Sequence, residues 1–399
     1  MKVNYNVSAM IANNALQRND NLLTESIKRL SSGLKIANAK DNPSGLAMAR
    51  RMNAQIEGLG VANDSSGDGI SIVQVADGSL SEMHDVLQRM NELAIKASNG
   101  TLTSHDREYI QSEIGQLKDE IERMARTTQF NGQNILDGSF DYKGYATVPD
   151  PTKPGEYVTN TDLSVLTYSD LVDGGKYDIK GLNVTVKEST GDTGVVRRTL
   201  EVTNPQNISI TKEGETESYM KEPLSVSTQE DILTISDING KEIKLQIKDD
   251  YSGAMKLELT GNGAMTMQVG ANEGQTLDIR IPKISWQTLG IANIDVTLTQ
   301  VDGNPVNGAL EAIDSIKNAI SEISSIRSRL GAYQNRLEHT VSNLDITVEN
   351  MTAAYSRIMD VDMAEEMTTY STQQVLSQAG TSMMAQANQR PSQVLQLLQ

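Results

Sequence analysis

The chain has no cysteine, one tryptophan and two phenylalanines among its 399 residues. The absence of cysteine excludes disulfides, thiolate metal sites and a cysteine nucleophile. Because aromatic residues make up only 4% and hydrophobic residues 38%, the core has to be built mainly from Ile, Leu, Val, Met and Ala. Such a composition favours long, thin helical bundles over a large globular enzyme.

Positive charge is also scarce: the chain has 35 Lys and Arg residues against 52 Asp and Glu residues, which gives a net charge of −17. This balance argues against nucleic acid and against an anionic membrane surface as partners. No stretch approaches the roughly 18 apolar residues of a transmembrane helix. The first residues lack the apolar core of a secretory signal peptide, so export would require another route.

The sequence contains no recognisable arrangement of catalytic residues. The three histidines, His84, His105 and His339, stand far apart in helical segments. None has a second ligand at metal-site spacing, and there is no GxGxxG or GxxxxGK[ST] loop. We therefore expect no enzyme, no metal and no cofactor.

Near the C-terminus, apolar residues recur every seven positions, in the series Ile316, Ile323, Leu330, Leu337, Leu344, Met351 and Ile358. A second track three residues earlier contains Ile313, Ile320, Val341, Val348 and Tyr355, and the polar residues Arg327 and Gln334 interrupt it. Such a stripe predicts one long helix that packs against another helix. The polar interruptions are candidates for fixing the register of that pairing.

Near the N-terminus, a matching stripe alternates in steps of three and four, through Val73, Ala76, Leu80, Met83, Leu87, Met90, Ala94 and Ala97. The simplest partners for the two stripes are each other. The sequence therefore predicts a hairpin whose two ends form one rod and whose middle is an insert.

Further helices are predicted on both sides of the N-terminal stripe. Residues 7–35 show heptad spacing, and a second helix begins at Pro43 with Asn42 as its cap. The polar, glycine-bearing stretch 63–69 fits either a loop or a weak point within one longer helix. Thr103 or Ser104 begins another helix.

From about residue 140 to 300 the hydrophobic period changes from helical spacing to two. Asn239-Gly240 between two alternating runs predicts a β-hairpin, and Thr260–Gly263 joins two further candidate strands, Lys256–Leu259 and Met265–Val269. Helix resumes near Ala309 and breaks at residues 360–366, and a weaker helix follows. The predicted fold is mainly α with a β insert: a long antiparallel coiled-coil bundle formed by both chain ends, carrying an outer antiparallel β domain.

Several longer motifs are specific enough to indicate a family. In the N-terminal part they are Asn13-Asn14-Ala15-Leu16, residues 30–36, residues 41–47 and Thr128-Gln129-Phe130-Asn131-Gly132. Later motifs are residues 268–275, Arg329-Leu330-Gly331-Ala332, Asn335-Arg336-Leu337, residues 360–366 and residues 385–389. Over residues 1–138 and 264–399 the chain resembles bacterial flagellin.

The resemblance implies a non-enzymatic subunit that self-assembles into a tubular motility filament. Residues 1–42 and 360–399 would form the inner tube, and 43–140 with 263–359 the helical rod domain with its β-hairpin region. Residues 141–262 would form the solvent-facing variable β domain. The resemblance further implies secretion through the flagellar type III apparatus, a chaperone on the C-terminal segment, and flagellar cap and junction proteins as partners.

The expected assembly core comprises Leu23, Leu30, Leu80, Leu87, Ile323, Leu330, Leu337, Leu344 and Met351. The apolar residues Val394, Leu395, Leu397 and Leu398 at the C-terminal end point to burial in an assembly. Alternative roles are a hook–filament junction protein, a filament with an enzyme in its insert, and an adhesin or immune ligand acting as a monomer. A zinc protease in the insert is disfavoured because no histidine lies between residues 105 and 339.

Flagellins also resemble one another at a patch that a Toll-like receptor of animal hosts binds. The matching residues are Gln88, Arg89, Leu93 and Glu113, with Arg89 and Leu93 as the expected anchors. Asn91 departs from the arginine that many receptor-active members carry. Filament contacts between subunits are at least an equal explanation of the patch.

Overall fold

Five long helices flank the β-structure in the part of the chain that the structure describes. The computed structural model describes residues 6–149, 157–159, 163–169, 171–190, 196–205, 208–213, 218–220, 223–260, 263–297, 300–301, 304–305 and 307–397. For some of these residues only the backbone is described, namely 159, 188–190, 196–197, 300–301, 304–305 and 390–397. The predicted burial of the apolar C-terminal residues therefore lies outside the described side chains. The helices are α1 (Val7–Ser32), α2 (Pro43–Ala97), α3 (Ser104–Thr127), α4 (Gly308–Met359) and α5 (Met363–Leu397).

Local caps explain where several helices begin and end. The Asn6 side chain accepts the Ala9 N–H at the start of α1, and Gly33, at φ 72°, ends that helix three residues before the predicted end. Thr103 caps α3 in a capping box with Asp106. Asp362 accepts the N–H groups of the first turn of α5, so the predicted break at residues 360–366 is confirmed.

The stretch 63–69 is helical, which makes α2 one helix of 55 residues. Of the two glycines in the stretch, Gly69 permits close packing, whereas a Cβ at Gly67 would meet nothing within 4 Å. A Cβ at Gly69 would lie 3.3 Å from the side chains of Leu337 and Met267. The neighbouring Ser66 is fully buried. The small residues Ser66 and Gly69 therefore let other side chains pack closely against an unbroken α2.

Between α3 and α4 the chain forms antiparallel β-structure, which confirms the predicted insert. The strands are β1 (Gln129–Phe130), β2 (Gln133–Asn134), β3 (Gly144–Pro149), β4 (Tyr157–Thr159), β5 (Leu163–Tyr168), β6 (Gly175–Thr190), β7 (Val196–Val202), β8 (Ser209–Lys212), β9 (Ser225–Gln229), β10 (Ile232–Ser236), β11 (Glu242–Ile247), β12 (Tyr251–Leu259), β13 (Met265–Gln268), β14 (Thr276–Ile279), β15 (Gln300–Val301) and β16 (Asn304–Pro305).

The larger sheets have the orders β4-β3-β12-β6-β7, with β8 also pairing β6, and β5-β11-β10-β9. Inward-facing side chains of both contribute to one apolar cluster. The predicted hairpin at Asn239-Gly240 joins β10 and β11. By contrast, β12 and β13, the strands on either side of Thr260–Gly263, do not pair: β12 pairs with β3 and β6, and β13 with β14.

The chain divides into two compact units. The first comprises Met1–Asn63, Gly270–Asn272 and Ser342–Gln399, and the second comprises Asp64–Val269 and Glu273–Val341. In the second unit, buried residues of α2, α3 and α4 share one core with residues of the 277–296 segment. In the first unit the apolar clusters are smaller, around Ile36 and Met359 and around Leu59 and Leu344.

Candidate assembly surface

Helices α1 and α5 pair in opposite directions within the first unit, and polar side chains set their register. The bonds run from Asn6 Nδ2 to Ala387 O at 3.0 Å, from Asn19 Nδ2 to Gln373 O at 2.7 Å, and from Ser26 Oγ to Glu366 Oε1 at 2.6 Å. Ser26 and Glu366 are both buried. A buried polar pair of this kind favours one register because any slip would leave its groups unpaired.

Many large apolar side chains of this helix pair remain in solvent. On α1 they are Val7, Met10, Ile11, Leu22 and Ile27, and on α5 they are Met363, Met367, Val375, Leu376 and Met383. Among these, Val375 is 62% and Met383 is 61% exposed. Leu23 and Leu30 of the predicted assembly core are half-buried here. Exposed apolar surface on this scale marks an interaction site.

Five other residues of the predicted assembly core lie inside the second unit: Leu80, Leu87, Ile323, Leu330 and Leu337 are all 0% exposed. These five side chains belong to the core that α2, α3, α4 and the 277–296 segment share, so they leave no exposed surface for a second chain. Leu344 and Met351 belong to the first unit and pack beside Leu59 and Ala62. The stripes therefore stabilise the subunit, and the exposed helix faces are what remains for assembly.

The two polar interruptions of the α4 stripe behave differently. Arg327 Nε donates to Asp77 Oδ1 of α2 at 2.8 Å. This bond is the main cause of the raised pKa of Arg327. Gln334 donates to Glu338 within α4, so only Arg327 forms a contact that can select a register.

Two residues of the predicted receptor patch, Arg89 and Glu113, bond to each other. Arg89 donates to Glu113 at 2.9 Å and to Glu92 at 3.2 Å, and these bonds raise the pKa of Arg89. Gln88 is exposed. Leu93, however, is only 3% exposed and belongs to the helical core, so the expectation of a surface apolar anchor there is wrong.

A buried ion pair that the sequence analysis missed stands where the β insert begins. Arg280 Nε donates to Asp141 Oδ1, and both residues are 4% exposed. The guanidinium lies 4.7 Å from the ring centre of Tyr142 and 5.3 Å from that of Tyr168, and it donates to Thr167 Oγ1 at 2.6 Å. One signal was available: this arginine stands between two isoleucines just after β14.

Within the residues described, no group of three His, Asp or Glu side chains is placed to hold a metal ion. The described helices also include none that is long and apolar enough to cross a membrane.

Solved structures similar to the chain are flagellar proteins. A Bacillus cereus flagellin is 18% identical, with a TM-score of 0.30, and covers 73% of this chain and 94% of that one. Flagellar hook associated protein-3 from Legionella pneumophila is 15% identical, with a TM-score of 0.36, and covers 77% and 98%.

Sequence relatives extend over the whole length. A flagellin of Clostridium tyrobutyricum is 37% identical across 98% of this chain and 100% of its own. Flagellin C of Vibrio anguillarum is 36% identical across 100% and 99%. Residues 3–141 match the bacterial flagellin N-terminal helical region, and residues 313–398 match the C-terminal helical region. The chain therefore belongs to the bacterial flagellins, the structural subunits of flagellar filaments.

Proposed function

We propose that this chain polymerises with copies of itself through the exposed apolar faces of α1 and α5. The observation that carries the proposal is the row of exposed Met, Leu, Ile and Val side chains on both helices. Fully burying one such side chain contributes about 1.5–3 kcal/mol. Several buried together would offset the entropy cost of fixing each added subunit.

Within such a filament, residues 1–42 and 360–399 would form the inner tube. Residues 43–140 and 263–359 would form the surrounding helical rod domain with its β-hairpin region, and 141–262 would face solvent. We further propose secretion through the flagellar type III route into an extracellular filament. The partners would be a chaperone on the C-terminal segment and the cap and junction proteins, and the chain would carry no catalytic activity.

Polymerisation can be tested by placing charge on the exposed faces. We expect Val375→Glu and Met383→Glu each to raise the critical concentration at least tenfold, because a carboxylate would have to be buried at the subunit contact. Sedimentation and negative-stain imaging of the purified chain would measure this. Ile238→Glu is a matched control, since Ile238 is 72% exposed in a turn of the β insert.

Two results would count against the proposal. One is a critical concentration for the Met383→Glu variant equal to that of the wild-type chain. The other is a wild-type chain that stops at a short layer, which would favour the junction-protein alternative.

A second role is recognition by a Toll-like receptor of animal hosts, and the exposure of Gln88 and Arg89 favours it. Leu93 would contribute by packing the helix rather than by touching the receptor. Arg89→Ala should then lower receptor signalling by dissociated subunits while leaving filament formation intact. Equal loss of both would instead assign Arg89 to subunit contacts.

A further inference from the structure

Methionine is the only sulfur-containing residue type of the chain, which has 17 methionines and no cysteine. Mild oxidants such as hydrogen peroxide act on thiolates and on the thioether sulfur of methionine. Because no thiol competes for the oxidant, methionine is the side chain of this protein on which a peroxide acts most readily. Which methionines react then depends on how far solvent reaches each of them.

The methionines differ widely in exposure. Met83, Met90 and Met220 are 0% exposed, the first two in the helical core and the third in the core of the β insert. Among the described side chains, four methionines of α1 and α5 are 49–61% exposed: Met10, Met363, Met367 and Met383. These four are the end-helix methionines. One further exposed methionine, Met48, is 44% exposed near the start of α2.

The end-helix methionines make up a large part of the exposed apolar surface of α1 and α5. They stand beside Val7, Ile11, Leu22, Val375 and Leu376 among the large apolar side chains that these two helices leave in solvent. A flexible thioether side chain fits irregular contacts well, so methionine suits a surface that packs against another chain. The same sulfur atoms are open to solvent whenever that other chain is absent.

Reaction with hydrogen peroxide converts a methionine to its sulfoxide. The sulfur lone pair attacks one peroxide oxygen, the O–O bond breaks, a proton moves to the departing oxygen, and water leaves. The sulfur loses two electrons and the peroxide gains them. The side chain keeps nearly its length but becomes polar, because the S–O group is a hydrogen-bond acceptor.

We propose that the end-helix methionines are sites of reversible sulfoxide formation by peroxides, and that their oxidation keeps the subunit dissociated. The inference rests on the proposed polymerisation through α1 and α5, since only burial at a subunit contact makes the polarity of these side chains matter. A sulfoxide packed against apolar side chains would lose its hydrating water without a replacement donor. Polymerisation would in turn cover the same sulfur atoms and protect them.

Peptide mapping by mass spectrometry identifies the sites whether or not the chain polymerises. Dissociated full-length protein would be treated with hydrogen peroxide and sampled over time. We expect the end-helix methionines to be oxidised at least tenfold faster than Met83 and Met220, because burial excludes the oxidant. In filaments their oxidation should be at least tenfold slower than in dissociated chains for the same reason.

The critical concentration of the oxidised chain measures the consequence. It should rise at least tenfold after oxidation, because several polar groups would lose water at the contact. Methionine sulfoxide reductases A and B, supplied with dithiothreitol, should restore the value of the untreated chain, since each enzyme reduces one sulfoxide epimer. In that step the sulfoxide oxygen leaves as water and the dithiol becomes a disulfide.

Replacing all four end-helix methionines by leucine keeps apolar side chains of similar volume. This quadruple variant should polymerise like the wild type and keep its critical concentration after peroxide. Met48→Leu is the matched control, because Met48 is exposed but lies outside α1 and α5, and it should remain as sensitive to peroxide as the wild type. Should the untreated quadruple variant polymerise poorly, the reductase reversal of the oxidised wild-type chain decides instead.

Three results would each overturn the proposal. The first is oxidation of the end-helix methionines at the rate of Met83 and Met220. The second is an unchanged critical concentration once those four residues are fully oxidised. The third is loss of polymerisation by the peroxide-treated quadruple variant equal to that of the treated wild type. Failure of the polymerisation proposal has a different signature, since untreated Val375→Glu would then polymerise like the untreated wild type.

Discussion

The Asp141–Arg280 pair offers the sharpest test of how the β insert is held. Arg280→Met keeps the length of the side chain and removes its charge. The Asp141 carboxylate would remain 4% exposed, with its Oδ2 already lacking a hydrogen-bond partner among the described residues. The change therefore isolates a buried negative charge at the point where the insert begins.

The expected cost follows from this environment. Removing one partner of a buried ion pair costs about 3–5 kcal/mol because the other charge is left uncompensated. Loss of the cation–π contacts with Tyr142 and Tyr168 adds about 1–2 kcal/mol. Contacts between the methionine sulfur and the same rings recover about 0.3–1.5 kcal/mol. We expect a net loss of about 4 kcal/mol, which corresponds to a fall in Tm on the order of 10 °C.

Thermal unfolding of dissociated chains, followed by circular dichroism and by Trp286 fluorescence, would measure this loss. The double variant Asp141→Asn with Arg280→Met should recover at least half of it, because no buried charge remains. Arg123→Met is the control: its partner Glu120 lies 2.7 Å away on the surface of α3, and Tm should not change. A Tm for Arg280→Met within 2 °C of the wild type, on the order of 1 kcal/mol or less, would refute the reasoning.

Three further changes test the helices. Thr103→Ala should destabilise α3 by about 1 kcal/mol. The hydroxyl accepts the Asp106 N–H and donates to the Asp106 carboxylate, and the second bond holds the pKa of Asp106 below its ordinary value of about 4. As pH falls through that lowered pKa, the part of the difference from wild type that depends on the carboxylate should be lost, and the part that comes from the N–H bond should remain. Glu366→Ala should speed hydrogen exchange in α1, whereas Glu366→Gln, which keeps an acceptor for Ser26, should do so less; equal rates would argue against a register role. Leu337→Asp should cost more than about 4 kcal/mol and lower helix content before any effect on assembly, and unchanged circular dichroism would contradict its placement in the core.

The heptad stripes were enough to predict α2 and α4 as partners, because a seven-residue repeat states both the helix and the face it buries. Periodicity alone could not show whether the residues of these stripes pack inside one subunit or against a second chain. A stripe reports burial and does not say whether the partner is in the same chain. Only the exposure of Val375 and Met383, against 0% for Leu330 and Leu337, makes that distinction.

Residues 63–69 show why local chemistry left two readings open. Gly, Asp and Ser are as common in loops as in weakened helices. The packing partners of the stretch come from elsewhere in the chain, among them the side chains of Leu337 and Met267 beside Gly69. The same limit applies to β12 and β13, which adjoin the Gly-rich run 260–263 yet belong to different sheets, since pairing is a choice among all available strand edges.

The two isoleucines beside Arg280 indicate that it is buried, but its pairing with Asp141 could not be predicted, for a similar reason. The two residues are 139 positions apart, and a buried arginine is rare.

The pairing of α1 with α5 has a consequence for the order in which the chain can fold. Its hydrogen bonds join residues 340 to 381 positions apart, so they are among the most non-local contacts a chain of this length can have. Because α1 precedes α5 in the chain, it is synthesised before its intrachain partner exists. Helix α1 therefore stays without that partner while the β insert and α4 are made.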